Sequence, residues 1–175
     1  MTDTINGSFG ANVIAPGTGF FLNNEMDDFT VQPGTPNLYG LVQSEANAIA
    51  AGKRPLSSMA PTLVEKDGRV VLVLGSPGGS RIISTVLETI MNIVDFHMGP
   101  QDAVDAPRIH HQGQPTEVDF EHSGLPSEVK NQLTKIGYKL IEKQPWGAVE
   151  LIQIEKGRLY GVNDSRRPAG AAIGY

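Results

Sequence analysis

Val70-Val71-Leu72-Val73-Leu74-Gly75-Ser76-Pro77-Gly78-Gly79-Ser80-Arg81-Ile82-Ile83 is the stretch whose reading decides the fold. Five successive apolar residues, three of them β-branched, predict a central strand covered on both faces. Three glycines and a proline then forbid the strand from continuing. From Ile82 onward the apolar positions Ile82, Ile83, Val86, Leu87, Ile90, Met91, Ile93 and Val94 fall at helical spacing, and Ser80 suits the N-cap. So broad a stripe predicts a helix lying against a sheet. A strand, Gly-rich turn and helix in succession aim backbone N–H groups at one point, where the helix dipole favours negative charge. Such a turn can be a plain tight connection, a phosphate cradle or an oxyanion hole. The lysine of a phosphate-binding loop is missing, because Ser80-Arg81 occupy its place. Ser76 does not sit in a Gly-x-Ser-x-Gly elbow and is a poor nucleophile candidate.

Outward from this stretch, Thr62-Leu63-Val64-Glu65 is a second strand, joined to the first through Lys66-Asp67-Gly68-Arg69, whose Asp-Gly pair signals a hairpin. Residues 1–60 are loop-rich, with short extended runs at 12–14 and 20–22. Downstream, residues 103–106 predict a helical turn stopped by Pro107, and residues 126–136 an amphipathic helix stopped by Gly137. Runs near 138–142, 148–154 and 158–162 predict further strands. The pattern is α/β (α+β), a layered sandwich, with residues 1–175 read as one domain or a piece of one.

Composition narrows the function. With 175 residues and 39% hydrophobic content the chain can bury a sizeable core. A formal net charge of −5 argues against nucleic acid or an anionic membrane as partner. The absence of cysteine removes disulfides, thiolate metal sites and a Cys nucleophile. No apolar run is long enough to span a membrane, and residues 1–4 lack the features of a signal peptide.

Three further groups carry chemistry. In Leu22-Asn23-Asn24-Glu25-Met26-Asp27-Asp28-Phe29, three carboxylates beside two amides suit a cationic amine or a hard metal, although calcium-loop spacing is absent; a solvated acidic loop is the plain alternative. Pro55-Leu56-Ser57-Ser58-Met59-Ala60-Pro61 sets two hydroxyls between stiffening prolines, as donors for a carboxylate or as an ordinary turn. His97, His110, His111 and His122 show no metal-ligand spacing, so no metal is expected. Trp146 and the tyrosines read as packing or turn residues.

Taken together, Asn23 to Phe29, Arg54 to Pro61 and Gly75 to Ser80 resemble the γ-glutamyltranspeptidase family in order and spacing. Asp105-Ala106-Pro107-Arg108-Ile109-His110-His111-Gln112 and the terminal Gly174-Tyr175 extend the resemblance over nearly the whole chain. It implies the small, C-terminal subunit of a self-cleaving precursor, within an N-terminal-nucleophile hydrolase sandwich of four layers, αββα, shared with a large subunit. It implies γ-glutamyl transfer from glutathione or a related amide to a threonine hydroxyl, then to water or an amino acid, with no cofactor or metal.

By the same resemblance Gly78 and Gly79 are oxyanion-hole donors, and Ser57 and Ser58 hold the glutamyl α-carboxylate. Asn6, Glu25 and Asp28 surround the α-amino group, and Thr4 hydrogen-bonds the nucleophile. The large subunit is expected to add an arginine, and a periplasmic or extracellular location follows from the family. The family's nucleophilic threonine lies upstream of the stretch that residues 2–9 resemble, so the expectation is a small-subunit segment that lacks it and is inactive alone. Thr2, exposed by loss of Met1, is the internal alternative, disfavoured by its place in the second strand. A non-catalytic γ-glutamyl-binding or interaction protein, and a related acylase, are the rival functions.

Overall fold

Thr62–Lys66 (β1) and Arg69–Gly75 (β2) pair antiparallel across Asp67 and Gly68. Both turn residues take positive φ, 51° and 72°, as a two-residue primed turn demands. The computed structural model describes residues 3–174, and the chain forms two compact units, Met1–Met59 and Ala60–Tyr175.

In the second unit β2 is an inner strand. The four-stranded sheet runs β1-β2-β6-β7, with β6 Glu150–Glu155 and β7 Arg158–Asn163, all neighbours antiparallel. The helix foreseen after the Gly-rich turn is α1, Ile82–Val94, and a short helix α2, Pro100–Asp105, follows it. Leu72, Leu74, Leu151 and Val162 from the sheet, Ile82 and Val86 from α1, and Val104 and Val149 form the core. Burying each such side chain is worth about 1.5–3 kcal/mol.

Two expectations need correction. Ser80 does not cap α1; it lies inside a 3-10 turn, Gly79–Arg81, that leads into the helix, and no side-chain cap bond forms there. The wholly apolar β2 is not covered equally on both faces. Leu72 and Leu74 face the core, while Val73 pairs with Leu63 and Ile152, which are 64% and 41% exposed. Likewise α1 buries Ile82, Thr85, Val86 and Thr89 but exposes Ile83, Leu87, Met91 and Val94. The apolar stripe is wider than the sheet contact that this chain supplies.

A second sheet, in the order β3-β4-β5, joins Ile109–His110 (β3), Glu117–Glu121 (β4) and Lys139–Lys143 (β5). β4 and β5 are parallel, linked through α3, Ser127–Lys135, and Gly137 at φ 101° turns the chain after that helix. Neither β3 nor β4 was foreseen. β3 is too short to show a period, and β4 alternates apolar residues with carboxylates in a run that ordinary loops share.

The first unit has no extended ladder among its described residues. Its chain is tied by isolated bridges, Ile14 with Phe21, Thr30 with Ala48 and Pro36 with Val42, and by 3-10 turns at Glu25–Asp28 and Glu45–Asn47. Asp28, Phe29 and Thr30 form its buried stretch. No helix of the described residues is long and apolar enough to cross a membrane.

Candidate functional site

In the first unit the candidate groups are held by side-chain amides rather than by a sheet. The Asn23 side chain accepts a bond from the Glu25 N–H at 3.0 Å and so starts the 3-10 turn that carries the carboxylates. Asn24 Oδ1 accepts from the Gly7 N–H at 2.7 Å, and the Asn24 carbonyl accepts from Asn6 Nδ2 at 3.3 Å. Asn6 itself takes φ 65°, a conformation that asparagine tolerates. The Tyr39 hydroxyl donates to the Asn6 carbonyl at 3.1 Å, and Thr4 Oγ1 accepts from the Asn6 N–H at 3.0 Å. Thr4, Asn6, Gly7, Asn24 and Tyr39 are thus tied into one network.

The Asp28 residue is 4% exposed, and its carbonyl accepts from Asn47 Nδ2 at 2.6 Å. Glu25 is hydrogen-bonded to Asp28. Burial, that bond and the charges of Asp28 and Asp3 push the Glu25 carboxyl up to about 7. One Glu25 oxygen is buried without a partner. No Lys or Arg pairs with either carboxyl among the described residues. Two adjacent carboxyls without a counter-cation among the described residues suit an ammonium. Asp27 does something else: its carboxyl accepts from the Leu38 N–H at 3.1 Å and holds that loop. Ser57 is exposed and Ser58 half-buried; Ser57 Oγ accepts only a long bond, 3.4 Å, from the Met59 N–H. Their hydroxyls are therefore available as donors.

In the second unit Gly78 and Gly79 take φ 147° and 60°, left-handed values that favour glycine. Among the described residues neither N–H donates a hydrogen bond, as expected for the first amides ahead of a helix. The turn is fixed from both sides. Arg81 reaches Asp119 of β4 at 2.7 Å and lies over the Trp146 ring at 5.0 Å. Ser76 Oγ accepts from the Ala148 N–H at 3.0 Å.

Behind the turn lies an ionic network that sequence reasoning missed. Arg108, 2% exposed, donates to Asp164 and to the carbonyls of Trp146 and Val104. Asp164 also accepts from the Val149 and Arg166 N–H groups, at 2.8 and 2.9 Å. Burial acts to raise its carboxyl, but the bonds from Arg108, Val149 and Arg166 hold it below its ordinary value. Arg166 then grips both oxygens of buried Glu121, which also accepts from the Trp146 N–H at 2.9 Å. Arg108 stands in the Asp105 to Gln112 stretch, so part of the signal was present; its partners lie far away in sequence.

The histidines do not converge. His110 is bonded through Nδ1 to Ser84 at 2.6 Å and through Nε2 to Gln112 at 2.9 Å; His111 meets the Tyr138 ring edge-on; His122 pairs with Glu142 at 2.8 Å. Among the described residues no group of three His, Asp or Glu could hold a metal ion. Thr2, the internal nucleophile alternative, and Tyr175 of the terminal pair lie outside the described residues.

A sequence model of the gamma-glutamyltranspeptidase family matches residues 1–174. The chain is 49% identical to a glutathione hydrolase proenzyme of Pseudomonas sp. strain A14 over 185 aligned residues, all of this chain and 32% of that protein. It is 46% identical to the glutathione hydrolase proenzyme of Escherichia coli K12 over all of this chain and 30% of that protein. It therefore spans about a third of the length of these curated relatives. Among solved structures, a mutant of the gamma-glutamyltranspeptidase from Helicobacter pylori superposes with a TM-score of 0.91 at 53% identity, covering 95% of this chain and 92% of that one. The α+β arrangement expected from sequence is the fold of those N-terminal-nucleophile hydrolases.

Proposed function

The chain belongs to the gamma-glutamyltranspeptidase family, and from that premise we propose that it is the small-subunit part of an enzyme that transfers or hydrolyses γ-glutamyl groups of glutathione and related amides. The observation that carries the reading is the Glu25–Asp28 pair: half-buried and buried carboxyls, hydrogen-bonded to each other, with no cation beside them among the described residues. An α-ammonium fits that pair, with the Asn6 amide beside it as a further polar contact. The Ser57 and Ser58 hydroxyls receive the α-carboxylate. Gly78 and Gly79 donate their free N–H groups to the oxygen that becomes negative when the γ-carbonyl turns tetrahedral.

We assign the nucleophile to the threonine that heads the family's small subunit, and to no residue among those described. Its hydroxyl attacks the γ-carbonyl, the amine leaves with a proton, and a γ-glutamyl-threonine ester remains. Water or an acceptor amine then attacks the ester and restores the hydroxyl. Thr4 accepts or donates a hydrogen bond to keep that hydroxyl in place. No step calls for a metal or cofactor.

We further propose a large subunit from the same precursor as the partner. Leu63, Ile152 and Leu159 expose an apolar sheet face, and the relatives are about three times longer than this chain. A periplasmic or extracellular setting is proposed from the family alone. The complete protein is expected to release p-nitroaniline from γ-glutamyl-p-nitroanilide and not from glutaryl-p-nitroanilide, which lacks the ammonium. Equal release from both would favour a related acylase. No release from either, with glutamate still bound in calorimetry, would favour the non-catalytic binder.

A further inference from the structure

The proposed reaction uses neither serine of the Gly-rich turn, Ser76 or Ser80, yet one of them, Ser76, is bonded to the turn's own backbone. Ser76 Oγ donates to the Pro77 carbonyl at 2.7 Å while accepting from the Ala148 N–H at 3.0 Å. Pro77 C=O and Gly78 N–H belong to the same planar peptide unit, so fixing the carbonyl fixes the direction of the N–H. Nothing else in the local covalent structure does this. The plane is set by ψ of Pro77 and φ of Gly78; proline fixes only its own φ, and glycine restricts neither angle. A peptide between proline and glycine is free to turn over unless something holds it.

The surroundings are shaped to keep the Ser76 hydroxyl where it is. Gly147 has φ 72°, and a Cβ there would lie 2.9 Å from Ser76 Oγ, 3.3 Å from the Pro77 carbonyl and 3.1 Å from Arg108 Nη1. Only a residue without a side chain lets the segment before β6 approach the turn so closely. Arg108 holds this segment by donating to the Trp146 carbonyl, and Arg108 is in turn fixed by Asp164. A chain of contacts therefore runs from the buried ion network, through residues 146–148, to the Ser76 hydroxyl and the Pro77–Gly78 peptide.

We propose that Ser76 is a positioning residue for catalysis: its hydroxyl locks the Pro77–Gly78 peptide so that the Gly78 N–H stays directed outward as an oxyanion donor. This rests on the oxyanion role given to Gly78 above. The lock acts on the transition state and not on substrate binding, because the ground-state substrate is held by its ammonium and carboxylate.

The test uses the complete enzyme. In Ser76→Ala, kcat for γ-glutamyl-p-nitroanilide should fall about 10–30-fold, less than the roughly 10²–10³-fold that follows outright loss of an oxyanion donor. KM should stay within about twofold. Affinity for a glutamate analogue carrying a γ-boronic acid, which forms a tetrahedral adduct, should fall by the same factor as kcat, while glutamate affinity stays unchanged. Ser76→Thr, which keeps the hydroxyl, should restore kcat to within about threefold of wild type. A kcat within twofold of wild type in Ser76→Ala would overturn the assignment. So would a matched loss of glutamate and boronate affinity, or a Thr variant no better than Ala. If the wild-type enzyme shows no γ-glutamyl turnover, the proposed function fails. The lock is then read directly from 15N relaxation of the glycine-labelled protein. Ser76→Ala should drop the Gly78 amide order parameter from near 0.85 to below about 0.6, and an unchanged value overturns the lock.

Discussion

The two units hold their candidate groups by opposite means. In Met1–Met59 the carboxylates and Asn6 are placed by side-chain amides and hydroxyls bonding to nearby backbone, around a buried stretch no longer than Asp28-Phe29-Thr30. In Ala60–Tyr175 the glycine turn is the end of an inner strand, fixed by a hydrophobic core and by an ion network whose members are 0–3% exposed at Arg108 and Asp164. The lesson concerns tolerance. A site held by many single bonds loses them one at a time, whereas one held by a buried charge network fails as a whole.

The largest expected effect follows directly. Arg108→Ala or Asp164→Ala strands its partner's charge in the interior, which costs about 3–5 kcal/mol. Urea denaturation of the complete protein should show it, and a loss under about 1 kcal/mol would remove the network as the turn's support. Asn24→Ala in the first unit should cost less, about 1–2 kcal/mol, since it frees only the Gly7 N–H. A cost equal to that of Arg108→Ala would erase the contrast between the units.

The smallest effect is a matter of pH, and each unit supplies one reporter. Glu25 and Glu88 are both raised to about 7, Glu88 chiefly by burial and Glu25 by burial together with Asp28. Each carboxyl binds its proton more tightly folded than unfolded, so the folded chain carries more protons between about pH 4.5 and 7. Stability should fall as pH rises through that window and level off above it. Glu88→Gln should flatten the fall in melting temperature more than Glu25→Gln, because Glu25 is the more open of the two. Equal slopes for wild type and Glu88→Gln would show that burial does not raise that carboxyl.

The same contrast explains what could be read in advance. The β1–β2 hairpin, the turn and α1 were legible because period, glycine and the Asp-Gly pair all report on local backbone. So were α3 and the strands near residues 139 and 150–163. Ser80 is not the cap because the chain takes a 3-10 turn, Gly79–Arg81, before the helix. The half-buried row on β2 and the exposed row on α1 look like core in sequence, since apolarity does not say which chain will cover it. Arg108, Asp164, Arg166 and Glu121 were invisible as a group, being brought together only by tertiary folding. The carboxylate and serine loops carried no period and became readable only through resemblance.

In the proposed reading, the complete enzyme recognises a γ-glutamyl group by its ammonium, through Asp28 and Glu25. The most direct test compares γ-glutamyl-p-nitroanilide with glutaryl-p-nitroanilide in the complete enzyme, wild type against Asp28→Asn. In Asp28→Asn, kcat/KM for the γ-glutamyl substrate should fall about 10²-fold or more, the loss expected when one partner of a buried charge pair is removed. The slow glutaryl reaction should change by less than about threefold, so the preference shrinks by nearly the whole loss. Equal losses on both substrates, or an unchanged preference, would contradict it.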